Sequence, residues 1–105
     1  MKDEPPISMV EEYRRQVDVA REWLAESSRA AVSRLAAAGW MGYLELGIYG
    51  EPATKYYMKG GGVFVEDRSG VRKIEPADVR FEGLLPRQLE FVASKLENVL
   101  AERGL

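Results

Sequence analysis

Lys59-Gly60-Gly61-Gly62, a cation followed by three glycines, is the stretch most suggestive of chemistry, because glycine N–H groups beside a lysine can cradle a phosphate. A phosphate loop must open a helix, and neither G-x-x-x-x-G-K-[ST] nor G-x-G-x-x-G is present. The glycines instead run into the strand-like Val63-Phe64-Val65-Glu66, which predicts a flexible hairpin connection.

Carboxylates come next. Glu66-Asp67 and the group Glu75, Asp78 and Glu82 could ligate a cation or serve as an acid and base for hydrolysis. Neighbouring strand residues point to opposite faces, so Glu66 and Asp67 make poor joint ligands, and neither group has calcium-loop spacing. Solvated and turn-forming roles are expected. Cys and His both count zero, which removes disulfides, a thiolate nucleophile, Cys/His zinc sites and a histidine base. Serine motifs of the G-x-S-x-G or S-x-x-K kind are also missing. The chain is therefore expected to be no enzyme and to use no metal and no cofactor. A carboxylate hydrolase joining Glu66 or Asp67 to Glu75 or Asp78 is the residual catalytic alternative.

Cations interleaved with aromatics form a third set. Lys55, Tyr57, Lys59, Arg68, Arg72 and Lys73 fall in the one locally basic segment, and such a sheet surface can stack bases and neutralise phosphates. They are the candidate contacts for single-stranded nucleic acid. Against this stand 15 basic and 17 acidic residues, a net charge of −2 that gives no global attraction for polyanions. Edge protection of a small sheet explains the same cations.

Surplus apolar side chains form the fourth set. Trp23 and Phe91 lie off the core stripes of their helices, and Met41, Tyr43, Tyr49 and Tyr57 share one face of their strands. Trp, Tyr, Phe and Met are enriched at interface centres, which makes these six the candidate protein-interface residues. Their alternative fate is internal burial, if the two helices pack on opposite faces of the sheet.

These residues are positioned by a simple order of elements. Pro5-Pro6 ends an extended polar tail over residues 1–8, and Ser8 with Glu11 forms a capping-box pattern opening a helix to Ala38, where Gly39 stops it. Val10, Tyr13, Val17, Ala20, Leu24, Ser28, Ala31, Leu35 and Ala38 form its core stripe, opposite the charged Glu11, Arg15, Asp18, Glu22, Glu26 and Arg29. A flanking stripe of Val19, Trp23, Ala30 and Ala37 exceeds what one core contact needs. The small residues of 27–38 let another backbone come close.

Strand candidates follow at 40–50, 53–59, 61–66 and 71–74, joined by a turn at 50–52, the glycines, and Asp67 to Gly70. Residues 77–83 are expected to form a short edge strand or a turn. A last helix starts at Pro86, buries Leu85, Leu89, Val92, Ala93, Leu96 and Leu100, and ends at Gly104. The fold class is therefore α+β: a long N-terminal helix, an antiparallel meander of three or four strands, and a C-terminal helix, packed as a two-layer domain over residues 9–105.

No stretch approaches the ~18 apolar residues of a membrane helix, and the acidic start lacks a signal-peptide core. A cytoplasmic protein without membrane contact is expected. A protein partner, a homodimer or both fit the surplus apolar surface, with nucleic acid as the less favoured partner.

Overall fold

The computed structural model describes residues 6–50 and 52–105. Its order is α1 (Pro6–Ala37), β1 (Tyr43–Tyr49), β2 (Thr54–Lys59), β3 (Gly62–Asp67), β4 (Gly70–Ile74), two single 3₁₀ turns (Pro76–Asp78 and Phe81–Gly83), and α2 (Pro86–Arg103). The strands form one antiparallel sheet in the order β1-β2-β3-β4. This is the expected α+β architecture, with the meander complete at four strands. Among the described residues no helix is long and apolar enough to cross a membrane.

The local chemistry explains the boundaries. Pro6 opens α1, as suits a residue with no N–H to lose, so Ser8 falls in the first turn rather than at the cap. The extended tail expected over residues 1–8 gives way to helix at residues 6–8, and residues 1–5 lie outside the described residues, as does the Ser8 side chain. At the far end Gly39 is left-handed (φ 71°), and Trp40 N donates to Leu35 O at 3.0 Å in a Schellman closure. α2 begins at Pro86, where Gln88 Oε1 accepts from Leu85 N at 3.1 Å, and closes on left-handed Gly104.

The glycine triplet is more constrained than a flexible connector. Lys59 pairs with Gly62, leaving Gly60 and Gly61 as a two-residue turn with φ of 59° and 84°, the conformation of a type I′ hairpin. Gly62 is a strand residue: a Cβ there would stand 3.2 Å from the Phe64 ring. Asp67 starts the next hairpin, its Oδ1 accepting from Ser69 N at 2.8 Å. The turn at 50–52 includes Glu51, which lies outside the described residues.

The deeply buried apolar side chains of the sheet share one face. Leu44, Leu46, Tyr56, Met58, Val63 and Val65 pack under Val32 and Leu35 of α1 and Leu89, Val92 and Leu96 of α2, in one cluster completed by Val79, Phe81 and Leu84 from the 3₁₀ segment. Residues 77–83 thus take the turn, not the edge strand, and put Val79 and Phe81 into the core. Both helices lie on the same side, and the other sheet face is left open. A thinnest dimension of 18 Å fits these two layers, which pack about 10 Å apart.

Two expectations about the helices are corrected. Leu85 is 65% exposed, because it caps α2 instead of lying on its buried stripe. Val10, Tyr13 and Ala20 are exposed rather than core, because the sheet and α2 end before they reach the first half of α1. Deep burial on α1 begins at Ala25. The radius of gyration, 16.7 Å against about 13 Å for a compact chain of this size, reflects that projection.

Candidate interaction surfaces

The open face of the sheet is built by register. Glu45, Tyr57, Phe64 and Lys73 lie side by side across the four strands, flanked by Tyr43 and Lys59 on one side and by Ile48, Lys55, Glu66 and Val71 on the other. Tyr43 and Tyr57 rings stand 5.7 Å apart, and Tyr57 and Phe64 stack at 5.6 Å. Lys55 Nζ sits 5.4 Å from the Tyr57 ring centre and 3.3 Å from Glu45 Oε1. Hydrogen bonding to Tyr43, then to Glu45, pushes the Lys55 ammonium above its ordinary value. The row is thus largely self-partnered, and among the described residues Lys59 and Lys73 form no ion pair.

Tyr49 does not belong to this surface, contrary to the alternation expected from the sequence. A β-bulge between Glu45 and Gly47 makes Leu46 an extra residue and reverses the sides that follow. Gly47 (φ 135°) carries the bulge, and a Cβ on it would come within 2.6 Å of Leu84. Ile48 consequently faces out, while Tyr49 turns onto the helix side, stacks on Tyr56 at 5.6 Å and donates to its hydroxyl at 3.2 Å. Burial, then that hydrogen bond, pushes the Tyr49 phenol well up.

Arg72 is also corrected. It pairs across the ladder with Val65, so it points to the helix side, 3.3 Å from Asp67. The Ser69 amide, more than Arg72, holds the Asp67 carboxyl below its ordinary value. Arg68 lies in the β3–β4 turn. Of the six candidate nucleic-acid contacts, the structure gathers Lys55, Tyr57, Lys59 and Lys73. Phe64 was missed, though its alternation with Val63 and Val65 carried the signal.

The carboxylates disperse. Asp67 shapes a turn, Asp78 Oδ2 accepts from Glu75 N at 3.2 Å, and Glu82 pairs with Arg29. Burial works to raise the Glu82 carboxyl, but the Arg29 hydrogen bond and the nearby cations outweigh it, so its value is lowered. Glu66 faces Val71 at one end of β4, and Glu75 follows its other end, about 13 Å away by strand rise. They do not form the pair a hydrolase would need.

Among the described residues the large exposed apolar side chains of α1 are Met9, Val10, Tyr13, Val19 and Trp23, with Tyr13 69% and Trp23 66% exposed. Met9, Tyr13 and Trp23 share one stripe, with Val10 and Val19 on its opposite flanks. Met9, Tyr13, Gln16, Ala20, Trp23, Ser27, Ala30 and Arg34 alternate spacings of four and three, the seam along which helices pair. The second half of this seam forms one wall of a groove of about 340 Å³, lined by Trp23, Ser27, Ala30 and Ala31 and, from α2, Leu96 and Leu100.

Phe91 is exposed as expected, with Lys95 Nζ 4.9 Å from its ring centre. It lies about 160° around α2 from the groove-lining Ala93, so Trp23 and Phe91 belong to different surfaces. Met41 is 72% exposed and approaches the Gly61 turn.

The chain matches no protein-family model, no curated protein and no solved structure.

Proposed function

We propose that this chain is a non-catalytic protein-interaction module of the cytoplasm, an adaptor, chaperone-like accessory or inhibitor, that docks and self-associates through the uncovered face of α1. One observation carries it: half of a 32-residue helix projects from the body with Met9, Val10, Tyr13, Val19 and Trp23 in water. Exposed aromatic residues such as Tyr13 and Trp23 are the kind that anchor interfaces. Trp23 is the principal anchor. Phe91, Met41, Tyr43 and Tyr57 are secondary contacts on other surfaces.

The test is association, to itself or to proteins captured from native lysate, compared for the wild-type chain and Trp23→Ala. Since Trp23 is 66% exposed, the variant keeps its fold. Association should fall at least thirtyfold, about 2 kcal/mol. Equal association by the two proteins overturns the proposal.

The aromatic row of the open sheet face supports a second function, binding of single-stranded nucleic acid by Tyr43, Tyr57 and Phe64 with Lys55, Lys59 and Lys73. It predicts binding to mixed oligonucleotides that weakens steeply with salt. Absence of binding at low salt removes it.

A further inference from the structure

We infer that the partner of the α1 face is a second copy of this chain, lying antiparallel so that the arm Met9–Ala20 of each copy fills the α1/α2 groove of the other. This rests on the protein-interaction role proposed above and names its partner.

The seam is self-complementary in one register. When two copies of α1 run antiparallel about a two-fold axis between Arg21 and Glu22, each seam residue meets the one whose number completes 43. Tyr13 then faces Ala30, Ala20 faces Trp23, Gln16 faces Ser27, and Met9 faces Arg34. Each aromatic ring meets an alanine, and the one seam amide meets a hydroxyl that can hydrogen-bond it. A shift by one heptad either way breaks the match, setting Tyr13 against Trp23 or Gln16 against Arg34. The same large-to-small pairing is made twice, as a two-fold interface requires.

The flanks agree. Leu24 and Ala31 lie on the α2 side of α1, because they line the groove with Leu96 and Leu100. Antiparallel pairing sets the corresponding flank of the incoming arm, Val10, Arg14 and Val17, on that same side. It brings two valines to Leu96 and Leu100, and a cation to Glu97 on the groove wall. Size is adequate too. The aligned span runs from Met9 to Arg34, about 38 Å of helix. Tyr13 and Trp23 alone bring roughly 300 Å² or more per copy, against about 800 Å² in a stable interface. Met9, Val10, Val17, Val19, Ala20 and the groove walls add the remainder.

The chain has no cysteine, so introduced thiols report the register directly. Sedimentation equilibrium at tens of micromolar should give twice the chain mass, and Ala30→Lys, at an exposed position, should weaken the dimer at least tenfold with its fold intact. A short thiol-bridging reagent should link the double variant Gln16→Cys, Ser27→Cys into covalent dimers and leave Gln16→Cys alone unlinked. Within one chain those positions are about 16 Å apart, beyond the bridge. A chain that stays monomeric overturns the inference, and if Trp23→Ala still abolishes its binding to another protein, the interaction role survives. A dimer that Gln16→Cys alone can link is parallel, and overturns the inference as well.

Discussion

The first half of α1 and the outer face of the sheet both present aromatic side chains to water, yet they treat those side chains differently. On the sheet, Tyr43, Tyr57 and Phe64 lie against one another, and Lys55 spans Tyr57 and Glu45, so most of that surface already has partners within the chain. On the helix, Tyr13 and Trp23 are ten residues apart, about 15 Å along the axis, too far to cover each other. Cross-strand neighbours sit about 5 Å apart, so a strand supplies company for an aromatic side chain that a lone helix does not. Uncovered area alone therefore does not identify a docking surface. The apolar area that nothing within the chain shields is the better guide, and α1 carries more of it than the isolated Met41 and Leu85.

The largest expected effect is on association. Trp23→Ala should cost about 2 kcal/mol or more of binding and leave the thermal midpoint in place once the chain is dilute enough to be monomeric, while Tyr57→Ala should leave binding within about twofold. If Tyr57→Ala weakens association as much as Trp23→Ala, the contrast between the two surfaces is wrong.

Gly47→Ala tests the device that sorts the sheet's side chains. With φ at 135° and Leu84 2.6 Å from the new Cβ, urea unfolding should show about 2 kcal/mol of lost stability. Near-ultraviolet dichroism should report the disturbed Tyr49–Tyr56 stack. Association through α1 should persist in whatever fraction stays folded.

A smaller effect belongs to the covered half of α1. Ser28 is 2% exposed, and its Oγ has no hydrogen-bond partner among the described residues. Ser28→Ala should raise stability by about 1 kcal/mol in chemical unfolding, with dimerisation unchanged. A loss of stability would mean that the hydroxyl has a partner.

Glu82 sets a weak pH dependence. Its carboxyl lies lower in the folded chain than in the unfolded one, so the stabilisation is complete above the ordinary carboxylate value and is lost as pH falls through the folded value. Its side chain is 43% exposed, which limits the effect to about 0.5 kcal/mol. Stability measured from pH 6 to pH 3 should fall less steeply in Glu82→Gln than in the wild-type chain. Smallest of all, Lys55→Met should leave the midpoint within error, because an ion pair at the surface contributes little against water.

The fold was largely legible. Gly39 and Gly104 stop helices and Pro86 starts one because proline and glycine act through their own backbone geometry, and Asp67 fixes a turn through its own side chain. The candidate site was legible in part. Trp23 stands out because its position on the helix contradicts its hydrophobicity, and the small residues of 27–38 mark where a backbone can approach. The exposure of Tyr13 was hidden, since it continues the stripe that Leu24 and Leu35 bury. Periodicity reports which side of a helix is apolar; how far along its length anything packs depends on the rest of the chain.

By itself, then, the sequence determined the element order, the two-layer class and the absence of thiol and imidazole chemistry, all of which follow from residue identity and local spacing. Only the tertiary structure decided the facing of Tyr49 and Ile48, the burial of Val79 and Phe81, and the join of α1 and α2 into a groove. A single bulge residue reverses every later side chain in its strand, and where one is tolerated depends on Leu84, far away in sequence. The same distant packing leaves the arm of α1 bare, which is a consequence of where the sheet ends and is written in no residue of the arm.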